Sequence, residues 1–199
     1  MEEKRIHLEG CPHKLVDGWI ERGNKEEDVL FKFVSYWIAL NQMYNYHGDE
    51  NDSEASKIKA FGRKHDRIII YALDFQAEYM KIFKERPILG WFDRADRYDW
   101  REGEDFVAER MMQKFSYLQN RPRFESNIRD AAKYYVRICD SNCRSKNKSE
   151  ALLMSIYRIR CNLFHGNKDP DSERNYRLIE SSARILENVL PLLRDEIYC

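Results

Sequence analysis

The sequence predicts an all-α protein, a bundle of about five or six helices, on three observations. Glycine and proline are scarce, 8 and 5 in 199 residues. These fall below the usual shares of about 7% and 5%, so a turn-rich sandwich or barrel lacks its punctuation. Apolar residues recur at three- and four-residue spacing along most of the chain, the period of a helix with one buried face. Hydrophobic residues make up 43% of the sequence and aromatic ones 13%, which supplies a core and excludes general disorder. No internal repeat or domain-sized linker interrupts the pattern, so one domain is expected.

Residues 1–23 carry Gly10, Pro12, Gly18 and Gly23 with little periodicity, and read as an irregular arm ahead of a helical domain over 24–199. Asn24, with Glu27 three residues on, has the form of a helix cap. Behind it Leu30, Val34, Trp37, Asn41 and Tyr44 trace a long helix, widened by Phe33 and Leu40. Asp52 or Ser53 caps the next helix, with Gly62 as a point of interruption. The series Ile69, Leu73, Met80 and Phe83 predicts helix up to Pro87. Residues 88–104 alternate aromatic and charged side chains and read as an extended connection. Val107, Met111, Phe115 and Leu118 give a short helix closed by Asn120 and Pro122, and Phe124, Ile128, Ala131, Tyr135 and Ile138 give another. The tract 140–149 (DSNCRSKNKS) reads as a solvated linker with Ser149 as the following cap. Leu152, Ile156, Ile159 and Leu163 form the next stripe, stopped at Gly166. A last helix begins near Asp169 to Asp171 and carries Ile179, Ala183, Leu186, Leu190, Leu193 and Ile197, with Pro191 expected to kink or shorten it.

The 34 basic and 34 acidic residues cancel, but not locally. Residues 121–168 hold eleven Lys and Arg against four acids, a balance of +7, the segregation that a polyanion footprint requires. The longest stretch without an acid or base, Phe33 to Gly48, is too short and polar to span a bilayer. The opening MEEKR leads into no apolar run, so no secretory signal is expected. Five cysteines without repeated spacing read as free thiols of a reducing cytoplasm. Cys11-Pro-His13 and Cys139-x3-Cys143 lack the CxxC or HxxxH spacing of a zinc site, and neither metal nor cofactor is expected. Gly-rich phosphate loops and Gly-x-Ser-x-Gly elbows do not occur.

The most informative stretch is Tyr157-Arg-Ile-Arg-Cys-Asn-Leu-Phe-His165-Gly-Asn-Lys168. It resembles the HEPN superfamily, whose motif is an arginine, four to six residues, then a histidine; Arg160 and His165 match. The order of elements is also similar: a basic linker, a helix ending in Leu-Phe-His-Gly, a short acidic turn and a long closing helix. Phe33-Val-Ser-Tyr-Trp-Ile-Ala-Leu-Asn41-Gln-Met-Tyr44 resembles the aromatic-rich first helix of one HEPN branch, so the likeness covers roughly 25–195. The residue after the arginine, often polar in that family, is Cys161 here, and Asn162 follows. Some HEPN toxins are silenced by nucleotidyl transfer to a tyrosine two residues after the histidine; Asn167 stands there, so that silencing is not supported.

On one straight helix His165 would lie about 140° around from Arg160 and about 7.5 Å further along, so either the helix breaks at Gly166 or a second chain completes the site. The resemblance implies a homodimer in which two motifs face each other. Cutting RNA without a metal needs a base for the ribose 2′-hydroxyl, an acid for the leaving 5′-oxygen and a cation for the charge on phosphorus. Two copies of His165 would share the acid and base roles, and Arg160 would stabilise the transition state. Asn162 and Asn41 are supporting candidates, and Lys168, Arg158 and Arg174 are candidates for RNA phosphates. The expectation is a metal-independent endoribonuclease, a toxin or defence effector whose partners include RNA and an antitoxin or nucleotidyltransferase. The alternatives are a non-catalytic dimeric adaptor for RNA or protein, and a plain helical interaction module.

Overall fold

The computed structural model describes residues 12–74, 80–81, 83–84, 98–164 and 172–198. Among the described residues the chain is all-helical, with no strand. The helices are α1 (Pro12–Lys25), α2 (Val29–His47), α3 (Glu54–Lys64), α4 (Asp66–Asp74), α5 (Glu104–Lys114), α6 (Phe124–Cys139), α7 (Ser145–Phe164) and α8 (Glu173–Tyr198). The class is as expected and the helix count is higher. One added helix corrects the N-terminal reading: α1 is helical from Pro12, where an irregular arm was expected over 1–23. Gly18 and Gly23 both lie inside α1. A side chain at position 23 would run into the ring of Tyr36, so the glycine there serves the close approach of α1 to α2 rather than a turn.

Two of the expected caps are corrected as well. Asp28, not Asn24, caps α2, its Oδ1 accepting from the Phe31 amide at 3.0 Å. Asn24 instead accepts from the Tyr36 hydroxyl at 2.8 Å. Ser53 caps α3 as expected, accepting from the Ser56 amide at 3.2 Å. The tract 140–149 is not a solvated linker throughout: α7 begins at Ser145, and Ser149 and Glu150 are buried. The Ser149 hydroxyl donates to the Asp66 carbonyl at 3.4 Å, and that of Ser145 bonds the Asp66 carboxylate. The polar residues that suggested solvent therefore join α7 to the start of α4. Gly62 does not interrupt α3; a Cβ there would lie 3.2 Å from the Glu150 Cα, so its bareness lets α7 press against α3. Helix α8 runs through Pro191 to Tyr198, and so is not shortened there. The expected stop at Gly166, and most of the connection 88–104, lie outside the described residues.

Helix α2 packs between α1 and α8, while α7 is wrapped by α3, α4 and α6. Both are buried well beyond one stripe. Phe33, Tyr36, Trp37, Leu40, Met43 and Tyr44 of α2 are all buried, and α7 is buried without a break from Ser149 to Ile156. Each large apolar side chain so enclosed contributes roughly 1.5–3 kcal/mol. Together with Met80 and Phe83 they form the larger of two cores. The smaller core joins α5 and α6 through Val107, Ala108, Met111, Phe115, Ile128, Ala131, Ala132 and Tyr135. The single stripe read along α6 thus serves two cores, because Tyr134 and Ile138 face the larger one. Through α6 this pair packs against α7, and the last turn of α7 meets α2 and α3 instead.

Candidate active site

The last turn of α7 meets the middle of α2 and the first turn of α3 around one carboxylate. Glu54, the first residue of α3, follows the Ser53 cap directly. Its negative charge is favoured there by the exposed amides of the helix start. Glu54 Oε1 accepts from the Tyr44 hydroxyl at 2.7 Å and from Asn41 Nδ2 at 3.4 Å. Asn41 also bonds Tyr44 directly and accepts from Asn45 Nδ2 at 2.9 Å. On the other side Arg160 Nη1 donates to Glu54 Oε2 at 3.5 Å. Asn41 and Arg160, singled out from separate parts of the sequence, therefore share a partner that sequence reading missed.

Aromatic rings complete the setting. The Arg160 guanidinium lies 5.6 Å from the Trp37 ring centroid and 5.2 Å from that of Phe164, within the range of attraction between a cation and a ring face. Trp37 is flanked in turn by Tyr44 and Tyr157, at centroid separations of 6.2 and 6.0 Å. Burial pushes the Tyr44 hydroxyl above its ordinary pKa, and the Glu54 charge raises it further. Tyr44 therefore stays a hydrogen-bond donor to the carboxylate throughout the cellular range. The Tyr157 hydroxyl is likewise raised, by burial and then by Cys161. Cys161 also lies 3.9 Å from Arg160 Nη1. Arg160 Nε is buried without a hydrogen-bond partner among the described residues, while 27% of the side chain is open to solvent. A planar cation held between rings, bonded at one nitrogen and partly exposed, can take a phosphate oxygen.

The remaining sequence candidates fall elsewhere. Arg158 sits on the other flank of α7, where Nη2 bonds Asp130 of α6 at 3.1 Å and the guanidinium lies over Tyr134 at 5.2 Å. Only 15% of its side chain is exposed, so it ties α6 to α7 and presents little to a ligand. Asn162 is half-buried, and Arg174 is half-buried in the first turn of α8. His165 and Lys168 lie outside the described residues.

The local charge surplus is partly undone by folding. Arg129 pairs with Glu125 and Asp105, Arg137 with Glu104 and Glu150, Arg158 with Asp130, and Arg160 with Glu54. Three of those acids, Glu54, Glu104 and Asp105, come from outside the basic tract. Arg121 and Arg123 before α6, Arg144 before α7 and Lys146 in its first turn remain exposed.

No helix among the described residues is long and apolar enough to cross a membrane. Comparison with protein-family models, with curated proteins and with solved structures finds no match to this chain.

Proposed function

We propose that the protein is a metal-independent endoribonuclease of the HEPN kind, acting as a cytoplasmic homodimer and serving as a toxin or defence effector. The observation that carries this reading is the meeting of Arg160 and Asn41 at Glu54. The two residues belong to the two stretches, the motif helix and the aromatic-rich helix, whose sequences resemble that superfamily. Arg160 is the cation that stabilises charge building up on phosphorus. The histidines of two subunits, His165 and its copy, take the proton of the attacking 2′-hydroxyl and supply one to the leaving 5′-oxygen. The products of such an attack are a 2′,3′-cyclic phosphate and a free 5′-hydroxyl. Asn41 acts on this site only through Glu54 and Tyr44.

Pure protein incubated with structured RNA in EDTA should cut it and leave cyclic-phosphate ends. His165→Ala and Arg160→Ala should remove cleavage while thermal melts stay close to wild type. Full activity in the His165 variant overturns the assignment. A dimeric adaptor is the second reading, favoured by the engagement of Arg160 with Glu54 and by Cys161 beside it. Its signature is RNA binding by the wild type with no cleavage.

A further inference from the structure

We propose that Glu54 is a built-in competitor for Arg160, which an RNA phosphodiester must displace before the arginine can serve cleavage. This rests on the reading of Arg160 as the phosphate-binding group. Three features of the pair support displacement. First, its geometry is weak. It is made through a single nitrogen at 3.5 Å, whereas charge-assisted bonds of full strength run to about 2.7–2.9 Å. The same fold achieves better elsewhere: Arg194 grips Asp17 with two nitrogens at 2.8 and 3.0 Å, and Arg158 reaches Asp130 at 3.1 Å.

Second, neither partner is stranded when the pair opens. Glu54 keeps the Tyr44 hydroxyl at 2.7 Å and Asn41 at 3.4 Å, the helix start of α3 beneath it, and solvent on 32% of its side chain. Arg160 keeps Trp37 and Phe164 on its faces. The usual penalty for leaving a buried charge alone is therefore avoided on both sides. Third, the incoming group binds better than the one it replaces. A phosphodiester offers two oxygens to the planar fork of an arginine, where Glu54 offers one. Tyr44 and Asn41 hold the released carboxylate aside, and its residual charge still opposes any anion that approaches without a strong grip. The cluster thereby sets a threshold on RNA affinity.

The test uses the full chain and a fluorescein-labelled 2′-O-methyl RNA, which binds but offers no 2′-hydroxyl for attack. Dissociation constants would be measured by anisotropy at fixed salt. Glu54→Gln, which keeps a hydrogen-bonding group for Tyr44 and loses the charge, should bind about two- to fivefold more tightly than wild type, the range of a partly exposed ion pair. That gain should vanish in the Glu54→Gln, Arg160→Ala double variant. Tyr44→Phe, which frees Glu54 to hold Arg160, should bind more weakly than wild type. Equal or weaker binding by Glu54→Gln, or a gain that persists without Arg160, overturns the competitor. Equal binding by wild type and Arg160→Ala instead overturns the reading of Arg160 itself.

Discussion

Arg158 and Arg160 stand two residues apart on one helix and have been put to opposite uses. Arg158 faces the α5–α6 hairpin, closes on Asp130 at 3.1 Å and lies over Tyr134. Arg160 faces the junction of α2 and α3, reaches Glu54 at 3.5 Å and has a buried nitrogen with no hydrogen-bond partner among the described residues. A residue that only ties helices together should satisfy its hydrogen bonds, because each one left unmade costs free energy. Arg158 follows that rule and Arg160 breaks it. The difference teaches that the α6 side of α7 holds its arginine tightly, whereas the end of α7 holds its own more loosely.

Four measurements would break or sharpen this contrast. The largest effect should come from Arg160→Ala, which is expected to lower RNA cleavage by about 10²–10³-fold while the melting temperature barely moves. A large loss of stability without a specific loss of cleavage would make the two arginines alike. Arg158→Ala should do the reverse. Chemical unfolding should show a loss of about 1–2 kcal/mol, with cleavage per folded molecule unchanged.

The two tyrosines beside these arginines run the other way, since the α6 side holds the unpaired hydroxyl and the site the bonded one. The Tyr134 hydroxyl is buried with no hydrogen-bond partner among the described residues, and burial raises its pKa to about 12. Tyr134→Phe removes only an unpaired polar group, so stability should stay level or rise by up to about 1 kcal/mol. Tyr44→Phe removes a bonded hydroxyl and should cost about 1 kcal/mol. Unfolding curves of the two variants that moved in the same direction would erase the distinction between the α6 side and the site.

The smallest effect concerns a third arginine, Arg194 of α8, which holds both oxygens of Asp17 of α1 along one guanidinium edge. Its hydrogen bonds keep the Asp17 carboxyl below the usual carboxylate range. A depressed acid stabilises the fold above its unfolded pKa of about 3.9 and loses that contribution as pH falls through the lower folded value. Melting wild type and Asp17→Asn side by side should therefore show a small gap from pH 7 down to about 4. The gap should close below that. A gap that opened only in acid would refute the assignment.

Much of the fold was legible before any coordinate. The stripes Val107–Met111 and Leu152–Ile156–Ile159 are helical and turned inward, and on α2 Phe33, Trp37, Leu40 and Tyr44 are buried while Leu30 and Val34 are half-buried, because a 3.6-residue period marks a buried face from local spacing alone. The Ser53 cap was equally readable, since its partner is three residues away. The misreadings have one origin. Gly23 looked like a breaker and Ser149 like a cap, yet Gly23 fits against Tyr36 and Ser149 against Asp66. Residues that are small or polar carry two meanings, and the choice between them is made by a neighbour far along the chain.

The site divides in the same way. Sequence alone determined the helical class, the inward faces of most helices and the resemblance that singles out Arg160 and Asn41. It could not distinguish Arg160 from Arg158, which share type, helix and charge. Tertiary structure made that distinction by bringing Glu54, 106 residues earlier in the chain, against one arginine and Asp130 of α6 against the other. The physical reason is one of range. Helix period and capping act within about a turn, whereas the partner of a half-buried charge depends on which helices pack together, and that is settled only when the whole core closes.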